Sequence, residues 1–234
     1  MSLDIVFEDN HIIVVKKPAG VLSQAGSLDL PDMLNEIKNY LKIKYQKPGN
    51  VYLGLVHRLD TNVGGVMVFA KTSKAASRLS EQIRENLFNK NYLAVVKGSF
   101  PIREEKEIVD YLEKNEEKKI AEITSKGKIS KLRYIVVDNQ IIDGETYSLL
   151  KIELETGRFH QIRAQLSNLG HPIYNDGKYG VHIKGYNLGL FAYKIGFLHP
   201  TLKQKMEFSI LPNDDVFNYF SNSIRKMEDI TWKF

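Results

Sequence analysis

The chain has 234 residues, of which 43% are hydrophobic and 26% charged, a composition typical of a folded globular protein. It contains no cysteine, which excludes a disulfide scaffold, a thiolate zinc site and a cysteine nucleophile. The residues after Met1 lack the basic and apolar regions of a signal peptide, and the longest apolar runs are too short to span a membrane. We therefore expect a cytoplasmic protein that does not bind membranes.

The net charge of +5 arises from 33 basic and 28 acidic residues. The charged segment 103–131 holds 8 residues of each sign, so the excess lies elsewhere in the chain. A basic excess is typical of proteins that bind polyanions, because clustered cations attract phosphate. A merely lysine-rich composition would give the same number, and charge alone does not separate these two interpretations.

The first half of the chain alternates strand and helix patterns. Apolar runs at 5–7 and 12–15 predict a hairpin, which Pro18 and Gly20 then interrupt. Helical periodicity predicts helices over 31–45 and over 73–87, and the second of these carries Ala76, Leu79, Ile83 and Leu87 on one side. The apolar run 65–70 and the segment 92–96 predict strands.

The second half contains more strands than helices. Short apolar runs predict strands over 108–112, 132–137, 147–154 and 206–210. Helices are predicted over 158–169, with Phe159, Ile162, Leu166 and Leu169 as the apolar stripe, and over 214–227. Because the helices are few and irregularly placed, we expect a mixed α+β fold with a mainly antiparallel sheet, formed as a single domain over 1–234.

Two polar segments are candidates for a functional site. His57, Arg58 and Asp60 fall within four residues, ahead of two glycines and an apolar strand, where charged groups are costly to desolvate. An ordinary solvated loop would show the same residues. A similarity to the His-Arg-Asp loop of protein kinases fails, because a glycine-rich phosphate loop and an Asp-Phe-Gly sequence are both missing.

The second candidate is residues 156–163, Thr-Gly-Arg-Phe-His-Gln-Ile-Arg. Arg163 lies at the edge of the predicted apolar stripe, and a guanidinium that cannot lose its proton needs an anionic partner there. An aliphatic stem that reaches solvent would satisfy Arg163 equally well. The segment alone leaves both interpretations open.

Taken together, these segments resemble the RluA-type pseudouridine synthases. The similarity runs in order from about residue 4 to residue 211. Four landmarks carry it: residues 14–20; His57 to Asp60 with the glycines and residues 66–71; residues 90–98; and residues 156–163 continuing to 170–173 and 176–180. The chain departs from the family where Val63-Gly64-Gly65 replaces Thr-Ser-Gly and where Phe191 replaces a histidine.

The resemblance implies a fold with an active-site cleft across the sheet and the isomerisation of uridine in RNA to pseudouridine. Asp60 matches the essential aspartate of the family, and Arg163 matches the arginine that pairs with it and keeps it charged. No water is consumed, so one carboxylate suffices where a glycosidase needs two. Asp60 either adds to C1′ or assists elimination to a glycal, and the sequence does not choose between these routes.

Other site residues follow from the same resemblance. Tyr92 matches the active-site tyrosine, and Leu190 matches an apolar residue that packs against the flipped base. Arg58 matches the arginine that fills the gap in the RNA stack, a task that suits a planar cation. The remaining residues are expected to be scaffold or RNA contacts: His57, Arg158, His160 and Gln161.

We expect no metal, because Arg163 places a fixed cation beside His160, where another ligand would be needed. We expect no cofactor, because the chain has no glycine loop of the kind that holds a nucleotide and the implied reaction needs none. The expected partner is ribosomal or transfer RNA, recognised as a stem-loop by a monomer that lacks the S4-like RNA-binding module of some relatives. Two alternatives stay open. One is an RNA-binding or RNA-folding protein of the same fold that has lost catalysis, and the other is a glycosyl-transferring hydrolase in which Asp176 is the second carboxylate.

Overall fold

The computed structural model describes residues 3–26, 30–213 and 215–232. Within them lie four α-helices and eleven strands, and eight strand pairings among them are antiparallel. The predicted α+β class with mainly antiparallel strands is confirmed. The chain forms two compact units, residues 1–89 with 192–210 (unit 1) and residues 90–191 with 211–234 (unit 2). That residues 1–234 act as one domain stays a prediction.

Unit 1 is a sheet with two helices. Its strands are β1 (Asp4–Glu8), β2 (Ile12–Lys17), β3 (Gly54–Leu55), β4 (Gly64–Ala70), most of β10 (Leu190–Leu198) and β11 (Lys205–Ser209). The strand order is β1-β2-β4-β10, with β3 paired to β4 and β11 to β10. The β1–β2 hairpin confirms the prediction from the first two apolar runs.

The two helices of unit 1 begin at polar caps. Helix α1 (Met33–Lys44) begins after Asp32, whose carboxylate accepts a hydrogen bond from the Asn35 N–H. Helix α2 (Ser73–Arg84) begins after Thr72, whose hydroxyl accepts from the Ala75 N–H. These contacts satisfy N–H groups that a helix leaves unpaired at its start. Both predicted helices are confirmed with shorter bounds.

Strand β4 is the centre of the unit 1 core, and all seven of its residues are buried. At Gly65 the backbone has φ +140°, and a Cβ placed there would lie 2.2 Å from the carbonyl oxygen of Ala192. Only glycine allows so close an approach of two backbones. The glycine shared with the family pattern is therefore required by packing.

Unit 2 contains the remaining strands, which pair antiparallel with one another. Its strands are most of β5 (Asn89–Lys97), then β6 (Glu105–Asn115), β7 (Ile120–Ile123), β8 (Lys128–Ile142) and β9 (Glu145–Leu154), in the order β5-β9-β8-β6-β7. Helix α3 (Gln161–Asn168) follows β9, and the described chain ends with a 3₁₀ helix (Asp215–Phe220), α4 (Ser221–Lys226) and a 3₁₀ turn (Met227–Asp229).

Three helix predictions need correction. Helix α3 starts at Gln161 rather than at 158, because His160 has φ 50°, and Phe159 is 37% exposed instead of lying on the apolar stripe. Helix α2 ends before Leu87, which is 52% exposed. The terminal helix is broken into 3₁₀ and α segments, and its predicted start at Asp214 lies outside the described residues.

A buried lysine fixes the end of unit 2. The ammonium of Lys151, on β9, donates to the carbonyl oxygens of Ile230 at 2.7 Å and Met227 at 3.4 Å. The Trp232 ring lies next to it, 4.5 Å from the guanidinium carbon of Arg133. The C-terminal segment therefore supplies the acceptors that a buried cation requires.

No helix in the described part of the chain is both long enough and apolar enough to cross a membrane.

Candidate active site

The loop that carries Asp60 connects β3 to β4 and is anchored on both sides of that residue. The Ser23 hydroxyl donates to the Leu59 carbonyl at 2.8 Å and accepts from the Leu59 N–H at 3.1 Å. On the other side, the Thr61 carbonyl accepts from the Gly20 N–H at 2.9 Å. The backbone at Asp60 is therefore held in place by the segment that follows β2.

Lys17 is a site residue that the sequence did not single out. Its side chain is fully buried, and its ammonium donates to the carbonyl oxygens of Val21 at 2.6 Å and of Pro18 and Thr61 at 3.0 Å. Burial lowers the pKa of Lys17 to about 8, and the nearby Asp60 carboxylate opposes this shift. Lys17 therefore places a positive charge near Asp60 and helps to fix its loop.

His57 supports the same loop. Its Nε2 accepts a hydrogen bond from the Val68 N–H at 3.1 Å, and its ring packs against Phe88. Strand β3 ends at Leu55, which pairs with Phe69 of β4. The His57 imidazole then accepts the hydrogen bond from the next residue of β4, Val68. An accepting Nε2 carries no proton, so the His57 imidazole is neutral in this geometry, and its role in the site stays a prediction.

Arg58 is exposed, in contrast to its neighbours in the loop. Among the described residues its side chain makes no hydrogen bond and no ion pair. A guanidinium held at the surface of a fixed loop can stack on a base and bind phosphate.

In unit 2, Arg163 forms a forked ion pair with Asp176. The Arg163 Nε lies 2.8 Å from Oδ2 of Asp176, and Nη2 lies 2.7 Å from Oδ1. The side chains are 6% and 0% exposed. The Asp176 carboxylate also accepts from the N–H groups of Lys178 and Tyr179, at 3.1 and 3.2 Å. Asp176 is thus a structural anion, and this arrangement argues against the hydrolase alternative.

Arg163 uses Nε and one Nη2 proton for this fork, and a guanidinium carries five N–H donors. Its carbon also lies 5.2 Å from the centre of the Tyr179 ring, whose hydroxyl is 3.0 Å from Nδ1 of His160. Arg163 therefore has fixed partners within its own unit. The pairing of Arg163 with Asp60 stays a prediction.

Gln161 locks the turn before α3. Its Oε1 accepts from the Thr156 hydroxyl at 2.8 Å and from the Arg158 N–H at 3.1 Å. Its Nε2 donates to the carbonyl of Lys131 at 3.1 Å and to Oε1 of Gln165 at 3.0 Å. Gln161 and His160 are both buried, which agrees with a scaffold role, whereas Arg158 is exposed.

Tyr92 and Leu190 are buried side chains of unit 2. Tyr92 lies on β5 opposite Ile152 and is 8% exposed, and Leu190 begins β10 and is 5% exposed. The hydrophobic pattern of the sequence does not distinguish these two residues from ordinary core residues. Only the resemblance to the family identified them as site residues. Of the residues predicted for the site, unit 1 holds His57, Arg58 and Asp60, and unit 2 holds the others.

In the described residues, no group of three or more His, Cys, Asp or Glu side chains could hold a metal ion. That the chain needs neither metal nor cofactor stays a prediction.

A family model described as RNA pseudouridylate synthase matches residues 11–168. The chain belongs to this family. Its members are isomerases that act on RNA, and the match includes Asp60, Tyr92 and Arg163. The expectation drawn from the four sequence landmarks is therefore confirmed at the level of the family.

Curated relatives of this family align over nearly the whole chain. Ribosomal large subunit pseudouridine synthase C of Buchnera aphidicola is 31% identical over 94% of this chain and 70% of its own length. Ribosomal large subunit pseudouridine synthase D of Neisseria meningitidis is 33% identical over 92% of this chain and 59% of its own length. The chain thus spans between about three fifths and about seven tenths of these relatives.

Two solved human structures share the fold of pseudouridylate synthase domains. RNA Pseudouridylate Synthase Domain Containing 1 superposes with a TM-score of 0.72 at 21% identity, covering 96% of this chain and 95% of that one. RNA Pseudouridylate Synthase Domain Containing 4 superposes with a TM-score of 0.73 at 18% identity, covering 95% of this chain and 93% of that one. At these identities the likeness concerns the fold alone.

Proposed function

We propose that this protein is an RNA pseudouridine synthase that isomerises one or more specific uridines in ribosomal or transfer RNA. The observation that carries the proposal is the family match across the segments that hold Asp60, Tyr92 and Arg163. The relatives named for the large ribosomal subunit favour ribosomal RNA. In the reaction, the bond between N1 of uracil and C1′ breaks and a bond between C5 and C1′ forms. C5 loses a proton, and N1 gains one.

Asp60 is the proposed catalytic carboxylate. It either bonds to C1′ while the uracil rotates or removes a proton from the sugar during elimination, and both routes need its charged form. The anchors at Leu59 and Thr61 support this role, because a nucleophile or base must be held in position before the reaction. Lys17 supports the same role, because its buried ammonium lies near Asp60 and donates to the adjacent Thr61 carbonyl.

Arg163 is the proposed partner of Asp60. Tyr92 is the residue proposed to contact the uracil. The fork to Asp176 supports the first role, because it orients the guanidinium before RNA binds. Leu190 packs against the extruded base, and the exposed Arg58 takes its place in the RNA stack. Extrusion is required, because the reacting bond is out of reach inside a stacked helix.

Replacement of Asp60 by asparagine tests the mechanism. We expect Asp60→Asn to abolish turnover while RNA affinity stays within a few-fold of wild type, because the shape is kept and the charge is lost. Turnover is measured as tritium released from C5-labelled uridine in transcribed ribosomal and transfer RNA. Asp143→Asn is the matched control, because Asp143 lies in an exposed turn at φ 51°, a backbone region that asparagine tolerates.

Mapping of pseudouridines in cellular RNA, with and without the gene, then identifies the target. The lost site should return with the wild-type gene and not with Asp60→Asn. Full turnover in Asp60→Asn would refute the mechanism. RNA binding by the wild-type protein without any turnover would favour the alternative of an RNA-binding protein that has lost catalysis.

A further inference from the structure

Lys90 lies close along the chain to the proposed uracil-binding residue. It belongs to β5, two positions before Tyr92, and side chains two positions apart on a strand point to the same face. The separation along the strand is about 7 Å. Lys90 is half-buried, which is unusual for a lysine without a structural partner.

Lys90 and the neighbouring Arg158 are two cationic side chains that form no ion pair with an acidic residue in the described part of the chain. Among the described residues, Lys90 makes no hydrogen bond and no ion pair. The side chain of Arg158 donates only from Nε, to the Ile129 carbonyl at 3.2 Å, which leaves its Nη groups without an acceptor in the described chain. A Cβ placed on Gly157 would lie 3.5 Å from Nζ of Lys90, an ordinary van der Waals distance, so the ammonium lies next to the residue that precedes Arg158.

The electrostatics of this pair favour an anion. Burial lowers the pKa of Lys90, and the positive charge of Arg158 lowers it further. Glu153, on the neighbouring strand β9, does not neutralise the charge of Lys90. It lies opposite Asn91 and forms an ion pair with Arg133 at 2.7 Å. A bound anion would relieve both the desolvation of Lys90 and its repulsion from Arg158.

An exposed aromatic ring beside the pair points to nucleic acid. Phe159 follows Arg158 in the chain, is 37% exposed and stacks on the His160 ring at a centroid distance of 3.8 Å. The ammonium of Lys114 lies 5.1 Å from the centre of the Phe159 ring. Cations interleaved with an exposed aromatic ring are typical of surfaces that bind single-stranded nucleic acid.

We propose that Lys90 and Arg158 form a binding site for an RNA phosphate that flanks the target uridine. This inference rests on the proposed function, because the position of the uridine follows from the role of Tyr92. The site adds Lys90 to the RNA-binding residues and gives Arg158 a definite ligand. Phosphate contacts of this kind position the RNA without reading its sequence.

Removal of the Lys90 charge with retention of the stem tests the site. Binding of a fluorescein-labelled 12-nucleotide oligouridylate is followed by anisotropy between 50 and 300 mM KCl for wild type, Lys90→Met and Lys90→Arg. For Lys90→Met we expect a slope of log K against log salt that is smaller by about 0.7, and affinity about five-fold weaker at 0.1 M salt. Lys90→Arg should stay close to wild type.

Lys126→Met is the matched control, because it removes the same charge from an exposed turn of the same unit. A thermal melt adds an independent readout, since the loss of a desolvated, repelled charge should leave Lys90→Met at least as stable as wild type. An unchanged salt slope in Lys90→Met would overturn the proposal. Equal losses of RNA affinity in Lys90→Met and Lys126→Met would also overturn the proposal. Binding by the wild type that does not depend on salt would overturn it as well.

Competition with free phosphate distinguishes an RNA phosphate site from a site for the inorganic ion. Millimolar inorganic phosphate at constant ionic strength should not displace the oligouridylate, and displacement would assign the site to free phosphate and overturn its assignment to RNA. Binding does not require turnover, so the outcome is independent of Asp60. A reduced salt slope in Lys90→Met supports the phosphate site even if Asp60→Asn refutes the catalytic mechanism. An unchanged salt slope in Lys90→Met would overturn the phosphate site and leave the proposed role of Asp60 standing.

Discussion

Two of the five N–H groups of Arg163 are taken up by the Asp176 carboxylate, and this fork fixes the plane of the guanidinium as well as its position. The N–H groups of Lys178 and Tyr179 hold Asp176 in turn. The orientation of Arg163 is therefore set by the segment after α3 as well as by α3 itself.

Arg163→Lys should be severely impaired, because an ammonium cannot reproduce a planar fork with a fixed direction. We expect turnover to fall by about 100-fold or more, in the range seen when one oriented donor is removed from an active site. Buried Asp176 loses a hydrogen bond as well, at a cost of about 1–3 kcal/mol in the free energy of unfolding.

Single-turnover rates and urea unfolding measure the two effects of Arg163→Lys separately. Near-normal turnover in a variant that is less stable would show that the fork is structural and that Arg163 has no part in the chemistry. The exposed Arg84→Lys, in the last turn of α2, provides the control for an arginine-to-lysine change at a surface position.

Arg58→Ala should weaken activity on structured RNA and have a smaller effect on an unstructured oligonucleotide. The reason is that only a stacked helix leaves a gap for Arg58 to fill when the uridine is extruded. Initial rates on a stem-loop and on a short single strand that contain the same uridine measure the difference. An unchanged rate on the stem-loop would argue against the role, and Arg84→Ala is the control in the same unit.

At the scale of elements, one carboxylate on β1 contacts both the end of α1 and the residue that follows β4. Glu8 accepts hydrogen bonds from the Lys44 and Lys71 ammonium groups at 2.7 Å, and from the hydroxyls of Tyr45 at 2.8 Å and Tyr40 at 3.0 Å. Burial alone would raise the pKa of Glu8, but these hydrogen bonds outweigh it and lower the pKa from 4.5 to about 2.

The lowered pKa of Glu8 makes part of the stability depend on pH. A carboxyl whose pKa is lower in the folded state stabilises the fold above its unfolded pKa, and the contribution is lost as the pH falls through the folded pKa. We expect Glu8→Gln to cost about 1–2 kcal/mol at pH 7, since Lys44 is partly exposed and the pair is screened. The difference should shrink between pH 4.5 and pH 2.

Urea unfolding at a series of pH values measures this difference between wild type and Glu8→Gln. Glu81→Gln, at an exposed position on α2, should show no comparable change over the same range. A stability difference that stays constant down to pH 2 would contradict the assignment to the Glu8 charge.

For the whole molecule, the class and most of the elements could be predicted from the sequence. Apolar runs and helical periodicity carry the signal for β4, α1 and α2, because burial and period are local properties of a segment. Strand β7 was missed, because four residues give too little pattern. The start of α3 was wrong, since the positive φ of His160 leaves no trace in hydrophobicity.

The site was predictable to a different extent. The motifs led to Asp60, Tyr92 and Arg163, whereas the three carbonyl contacts of Lys17 and the fork from Asp176 depend on the tertiary fold. Buried polar groups are paired by tertiary structure, and a single sequence does not reveal which acceptor a cation will find. Lys16 and Lys17 look equivalent before Pro18, yet only Lys17 is fully buried.

The Lys151 ammonium depends on carbonyl oxygens that belong to the last turn of the described chain. A shortened protein cut ahead of Met227 would lose both of these acceptors and be less stable, because a buried ammonium that loses hydrogen bonds is destabilising. The C-terminal segment thus contributes to the stability of β9, which carries Lys151. Affinity handles for purification belong at the opposite terminus.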